Sequence, residues 1–400
     1  MKLAIVTAYP PSKLTLNEYA YHLIKHFRLQ EEVTEIVVLT DTTVNAQKVN
    51  ANAEGCTMRI EPCWTFNSWL NPIRILKTLK KERPDAVLYN LQFMKFGDKK
   101  IPAALGLMAP MLSSMAKMPT SVLLHNIMET VDLNEAGFTG NPIKKRLFGW
   151  IGTQLTKLIL KADRVVVTID RYAEILSKKY KADNVVVIPH GTFEVPKDVV
   201  FQNQKDHLQL MTFGKFGTYK KVEQLIEAVE VLRTAVDSRV ELVIAGTDNP
   251  NVKGYLEGVQ KRYAHVPDLN FTGYVEEEDV PKIFAASDVV VFPYTATTGS
   301  SGVLHQAGSY GKAVVMPNIG DLADLVTDEG YLGAYFEPSD VDSLVQALKK
   351  LCENELHRLA IAKNNYQAAK ALSMDSISKR YLELFKTIDP QLKDSKALAA

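Results

Sequence analysis

The chain reads as an α/β protein of two doubly wound, Rossmann-like domains facing each other across a cleft. Three observations predict this. Short apolar runs alternate with stretches of helical period through residues 3–188. The alternation stops over a polar segment, Thr192 to His207, that carries Pro196 and several lysine, aspartate and glutamine residues. It then restarts, and serial strand–helix alternation builds parallel sheets joined by helical crossovers.

In order, Leu3–Thr7 reads as the first strand, followed by a Pro10-Pro11 loop and a helix over Asn17–Phe27. Glu35–Thr40, Met58–Glu61, Ala86–Tyr89 and Ser121–Leu124 are the next strands, with helices over Pro72–Glu82, Pro102–Met118 and Pro142–Lys161. Val165–Thr168 and Val185–Ile188 complete the first block. The second block holds strands at Leu210–Phe213, Glu241–Ala245, Asn270–Phe271 and Asp288–Phe292, with helices at Lys221–Leu232, Tyr255–Tyr263 and Val280–Ala286. Domain limits follow: 1–195, a linker over 196–207, and 208–375, with a tail helix near 376–390 expected to return to the first domain.

Bulk properties exclude several classes. The 400 residues are 46% apolar and 23% charged with a formal net charge of +1, which gives no bulk electrostatic reason to expect nucleic acid as a partner. Cys56, Cys63 and Cys352 form no CxxC pair, so reduced thiols in a cytoplasmic protein are expected. Met1-Lys2 leads directly into the first strand without an apolar leader, and no apolar run approaches the ~18 residues of a membrane span. Neither GxGxxG nor GxxxxGK[ST] occurs, so the dinucleotide and P-loop fingerprints are missing.

The stretch Pro293 to Val315 concentrates the chemistry. It leaves a buried-looking strand, crosses a small-residue loop at Thr297–Gly302, enters a short helix ending near Gly311, and meets a strand at Ala313–Met316. Unpaired N–H groups and the positive end of a helix dipole at such a turn suit a phosphate or a sugar hydroxyl.

Ordered motifs carry a resemblance. Leu210-Met-Thr-Phe-Gly-Lys-Phe-Gly-Thr-Tyr-Lys-Lys-Val-Glu-Gln-Leu-Ile-Glu-Ala228, Glu241-Leu-Val-Ile-Ala-Gly246, Leu269-Asn-Phe-Thr-Gly-Tyr-Val275, Val280–Pro293 and Ala307–Val315 stand in one order, after Ala162-Asp-Arg-Val-Val-Val167 and Val187-Ile-Pro-His-Gly191. In that order they resemble the retaining family 4 glycosyltransferases of GT-B architecture (glycosyl transferases group 1). The resemblance implies a nucleotide-diphosphate-sugar donor as co-substrate in the second domain and an acceptor site mostly on the first. It implies no other cofactor and no metal.

By position, Lys215 and Lys220 resemble the family's arginine and lysine, which neutralise charge on the leaving diphosphate. Each such contact is worth roughly 2–4 kcal/mol of barrier by analogy with oxyanion donors. His125, at the end of Val122-Leu-Leu-His-Asn126, matches a first-domain histidine that contacts the transferred sugar, and these three are the catalytic candidates. Donor contacts carried over are Gly214, Tyr274, Thr298, Gly299, Ser300, Ser301, Gly302, Val303 and Gln306, with Ser12, Asn17 and Asn126 on the acceptor side. The chain departs from the pattern twice. Pro10-Pro-Ser-Lys-Leu-Thr15 replaces a two-glycine loop. Thr298 and Gln306 stand where the family has two glutamates eight residues apart, so ribose contacts through Gln306 lose their charge assistance.

The expected activity is retaining, metal-independent hexosyl transfer to a hydroxyl acceptor, a sugar or a lipid-linked sugar, in polysaccharide or glycoconjugate synthesis. Basic residues beside aromatics in Pro142–Lys157 suit a peripheral contact with the inner face of the membrane, or else a helix with a solvated basic face. The alternative from another class is a catalytically silent binding or scaffold subunit, motivated by Thr298 and Gln306. A nucleotide-sugar epimerase would need an acid–base carboxylate pair of its own, which the sequence does not offer.

Overall fold

The computed structural model describes residues 1–130, 142–201, 206–249, 252–296 and 301–388. It divides into two units, Met1–Pro189 with Met374–Ala400, and His190–Ser373. The boundary therefore falls at Pro189/His190, and the polar stretch 196–207 lies within the second unit.

In the first unit the strands are β1 (Lys2–Val6), β2 (Glu35–Asp41), β3 (Gln47–Val49), β4 (Thr57–Trp64), β5 (Ala86–Leu91), β6 (Thr120–Leu124), β7 (Arg164–Val167) and β8 (Val185–Val187). They order as β3-β4-β2-β1-β5-β6-β7-β8. All neighbours pair in parallel except the short edge strand β3, which runs antiparallel to β4. Every residue of β5 and β6 is buried, as expected for strands covered on both faces. The strand order reverses between β1 and β5, so ligand chemistry is expected where these two strands end.

The expected helix over Pro102–Met118 is two helices, Lys100–Gly106 and Ala109–Met115. Pro110 stands in the first turn of the second. It lacks the N–H that a continuous helix would need and suits a helix start instead. The last helix, Met374–Ile388, packs on Asn17–Arg28. Phe27 meets Tyr381 and Phe385 with ring centres 6.0 and 6.4 Å apart, and Lys386 pairs with Glu32 at 3.0 Å.

The second unit contains β9 (His207–Phe216), β10 (Arg239–Asp248), β11 (Leu269–Gly273), β12 (Val289–Val291), β13 (Ala313–Pro317) and β14 (Ala334–Phe336). All pair in parallel, in the order β11-β10-β9-β12-β13-β14. Here the order reverses between β9 and β12. One apolar core joins Leu210, Leu242 and Val289 of the strands to Leu225, Val229 and Leu232 of the helix Glu223–Ala235 and to Leu344 and Leu348 of the helix Val341–Glu353.

Candidate functional site

The carboxyl end of β9 is shaped by glycine. Gly214 and Gly246 face each other across β9 and β10, with φ of +139° and +136°. A Cβ on Gly246 would lie 1.9 Å from the Gly214 carbonyl oxygen, so no side chain fits. A Cβ on Gly214 would lie 3.1 Å from Lys220 Nζ, so the missing side chain is what lets the amine approach the strand.

The chain then turns, with Gly217 N–H donating to the Lys220 carbonyl at 2.9 Å. It is stitched to the segment leaving β12: Lys221 N–H donates to the Pro293 carbonyl at 3.2 Å and Thr295 N–H to the Tyr219 carbonyl at 2.8 Å. Lys220 and Tyr294 form an antiparallel bridge. The Lys220 amine lies 4.5 Å from the Tyr294 ring centre and 5.8 Å from that of Tyr219, and the two rings meet edge to face at 5.7 Å. Burial pulls the Lys220 amine down to about 8. Among the described residues no carboxylate pairs with it. A desolvated cation with no carboxylate partner among the described residues, at the strand-order reversal, is a candidate for binding an anion.

The segment after Thr295 leads to Ser301, whose hydroxyl caps the helix Gly302–Ser309 by accepting from Leu304 N–H at 3.4 Å. Val303 and Gln306 are half-buried on that helix. Thr298, Gly299 and Ser300 lie outside the described residues. Lys215 is exposed on the tail of β9, and Tyr274 is exposed just beyond β11. The structure thus brings Gly214, Lys220 and the segment Pro293–Thr295 together by direct contact, and leaves Lys215 and Tyr274 on the surface of their own strand ends.

Behind the same helix stands a buried polar cluster that sequence reasoning missed. His305 Nδ1 lies 3.1 Å from the Tyr331 hydroxyl and 3.3 Å from Thr192 Oγ1, and its Nε2 lies 3.3 Å from a Glu329 carboxylate oxygen. His190 stacks on it with centres 5.4 Å apart. Burial first, and the neighbouring His190 second, hold His305 well below the ordinary histidine value, while burial holds His190 down to about 4. The cluster ties the helix to Gly191-Thr192 on one side and Tyr331 on the other. The available signal was His190 itself, inside the quoted Val187–Gly191 motif.

In the first unit His125 follows β6, where its N–H donates to the Leu91 carbonyl at 3.2 Å. Its Nε2 is 2.7 Å from Asn90 Oδ1, and Tyr19 meets its ring edge-on at 4.6 Å. Asn126 Oδ1 is buried with no hydrogen-bond partner among the described residues. Ser12 and Asn17 are tied together, the Asn17 amide donating to the Ser12 carbonyl at 2.7 Å, and Ser12 is buried. Nearby, buried Lys95 donates to the Thr15 carbonyl at 2.8 Å, and burial holds its amine down to about 7. Asn90 and Lys95 carried no signal in the sequence, because each lies in an otherwise ordinary segment.

Among the described residues no three His, Cys, Asp or Glu side chains gather as a metal site would require, and no helix is long and apolar enough to cross a membrane.

Residues 207–354 match the family model of Glycosyl transferases group 1. This segment is a glycosyl transferases group 1 domain. It fills most of the second unit and contains Gly214, Lys220, Tyr294, Ser301 and Gln306. O-antigen chain mannosyltransferase C of Escherichia coli is 27% identical over 53% of this chain and 56% of its own length. Sulfoquinovosyl transferase SQD2 of Arabidopsis thaliana is 31% identical over 38% of this chain and 28% of its own. The chain therefore spans about half or less of the length of these two relatives. Anabaena HepE, solved in complex with UDP, superposes with a TM-score of 0.65 at 15% identity over 96% of this chain and 99% of its own. The domain accordingly belongs to a chain of GT-B fold, with both Rossmann-like units represented.

Proposed function

We propose that the chain transfers a hexosyl group from a nucleoside diphosphate sugar to a hydroxyl of a sugar or a lipid-linked sugar, with retention at the anomeric carbon. The observation that carries this is Lys220, a half-buried residue with no carboxylate partner among the described residues, lodged where the strand order reverses. The second unit takes the donor: the Lys220 amine and the helix start at Ser301-Gly302 receive the diphosphate, with Lys215 as a second cation. Gln306, Gly302, Val303 and Tyr274 meet the nucleoside and sugar, with Thr298, Gly299 and Ser300 as the further donor candidates. The first unit takes the acceptor near His125 and Asn126, with Ser12 and Asn17 shaping the neighbouring loop.

In the reaction the bond from the anomeric carbon to the diphosphate oxygen breaks and a bond to the acceptor oxygen forms on the same face. The acceptor proton passes to the departing diphosphate. Lys220 stabilises the charge growing on that group, which needs no bound metal. The names of the curated relatives, a mannosyltransferase and a sulfoquinovosyl transferase, support glycosyl transfer, and UDP in HepE supports a nucleoside diphosphate. In the helix Pro142–Ile159, exposed Arg146 and Trp150 suit a peripheral contact with anionic lipid at the cytoplasmic face of a membrane, where a lipid-linked acceptor would be met.

A thermal-shift panel of UDP-, GDP- and ADP-sugars tests the reading. Stabilisation by one donor that is lost in Lys220→Ala supports it, and slow hydrolysis of that donor without acceptor confirms turnover. No shift with any donor at millimolar concentration sinks it. That outcome favours the silent scaffold suggested by Thr298 and Gln306 in place of carboxylates.

A further inference from the structure

We propose that Asn90 is a positioning residue that fixes a proton on Nε2 of His125, so that in the neutral ring Nδ1 is the accepting nitrogen. Three adjacent strand ends in the first unit carry the residues concerned. Thr7 follows β1, Asn90 lies near the end of β5, and His125 follows β6, and these three strands are neighbours in the sheet. The reversal of strand order between β1 and β5 runs through this group.

Asn90 is buried, and its amide orientation is set by two independent acceptors. Its Nδ2 lies 3.0 Å from Thr7 Oγ1 and 3.4 Å from the Leu16 carbonyl oxygen. A carbonyl can only accept. The single proton of the Thr7 hydroxyl is committed to the Ala8 carbonyl at 3.0 Å, so Thr7 Oγ1 also accepts. Turning the amide over would set its oxygen against two groups with no proton to give. Oδ1 therefore faces His125 Nε2 at 2.7 Å, and because Oδ1 can only accept, Nε2 must carry the proton.

The polarity thus runs one way, from His125 through Asn90 and Thr7 to the Ala8 carbonyl. A neutral imidazole has one N–H, so whatever meets Nδ1 must be a donor. In that form the ring receives a hydroxyl proton and offers nothing to an anionic oxygen. Tyr19, edge-on at 4.6 Å, sets the plane of the ring. The consequence for catalysis rests on the glycosyltransferase reading, since it makes His125 a receiver of a sugar hydroxyl; the tautomer itself does not rest on it.

The test is long-range 15N–1H correlation spectroscopy of the full chain labelled at histidine ring nitrogens, with His125→Gln assigning the signal among the 8 histidines. The wild-type ring is expected to show a protonated Nε2 and an unprotonated Nδ1 near neutral pH, and the opposite pattern overturns the proposal. Asn90→Asp, which can still accept, should keep the Nε2–H form. Asn90→Leu, shown to be folded by circular dichroism, should lose the preference; retention of the wild-type pattern there overturns the positioning role. Should wild type turn over no donor, the enzymatic reading falls while the spectrum still decides the tautomer.

Discussion

The Lys220 amine sits 4.5 Å over the ring of Tyr294, although 73 residues of chain separate the two. The turn after β9 is hydrogen-bonded along the segment leaving β12, and that pairing makes the meeting possible. The aromatic faces partly offset the desolvation of the amine without neutralising it.

Lys220→Met should separate stability from function. Losing the cation is expected to lower kcat about 10²–10³-fold, in line with removal of one oxyanion donor. The ligand-free protein should become more stable, because a buried charge is removed. The sign is checkable. With its folded value at about 8 and an unfolded value of 10.5, Lys220 binds fewer protons when folded, so wild-type stability should rise between these pH values. Denaturant midpoints measured from pH 7 to 10.5 should show this rise in wild type and a flatter curve in the variant. Donor affinity should weaken as pH climbs through 8, since the amine loses its charge.

The two facing glycines should behave differently. Gly246→Ala drives a methyl to 1.9 Å from a backbone oxygen at φ +136°, so a loss of more than about 2 kcal/mol of stability is expected. Gly214→Ala meets only the end of a flexible side chain, at 3.1 Å. Its backbone at φ +139° adds about 1–3 kcal/mol of strain, but its distinctive effect should be a displaced Lys220 and weaker donor binding. Urea titration beside donor thermal shifts distinguishes the two variants.

His305 of the helix Gly302–Ser309 and His190, stacked on it, predict an acid limit. Both His190 and His305 are held below their ordinary value of 6.5, so the unfolded chain takes up more protons as pH falls. The stability they confer is present above pH 6.5 and should be lost progressively toward pH 4. Melting temperatures across that range should fall less steeply in His190→Gln than in wild type. An equal slope would remove His190 from the account.

Tyr381 anchors the returning C-terminal helix against Phe27. It is fully buried, so Tyr381→Ala should cost about 3–5 kcal/mol, comparable to other truncations of buried aromatics. Leu356→Ala, at an 82% exposed position, should stay within about 0.5 kcal/mol. Paired chemical melts check both.

Much of the architecture was legible in the chain because a sheet covered on both faces demands unbroken apolar strands. Ala86–Tyr89 and Val289–Val291 advertise themselves for this reason. The break between Gly106 and Ala109 was harder to see, since the apolar residues on either side continue through it and Pro110 is tolerated at a helix start. Strand β9 runs on through Lys215 and Phe216 only because Thr247 and Asp248 extend β10 beside them. The ordered motif around Lys220 marks it in the chain, whereas nothing local sets Tyr294 or Asn90 apart.

From residue order alone came the two α/β blocks, the Lys220 turn and the small-residue helix start, because these depend on local apolar period, glycine placement and spacing along the chain. Which polar groups meet was decided by strand order. Asn90 can reach both Thr7 and His125 only because β5 lies between β1 and β6, and Lys220 reaches Tyr294 only because β9 lies beside β12. A hydrogen bond or a ring contact acts over a few ångströms, and only tertiary folding brings residues so distant in sequence within that reach.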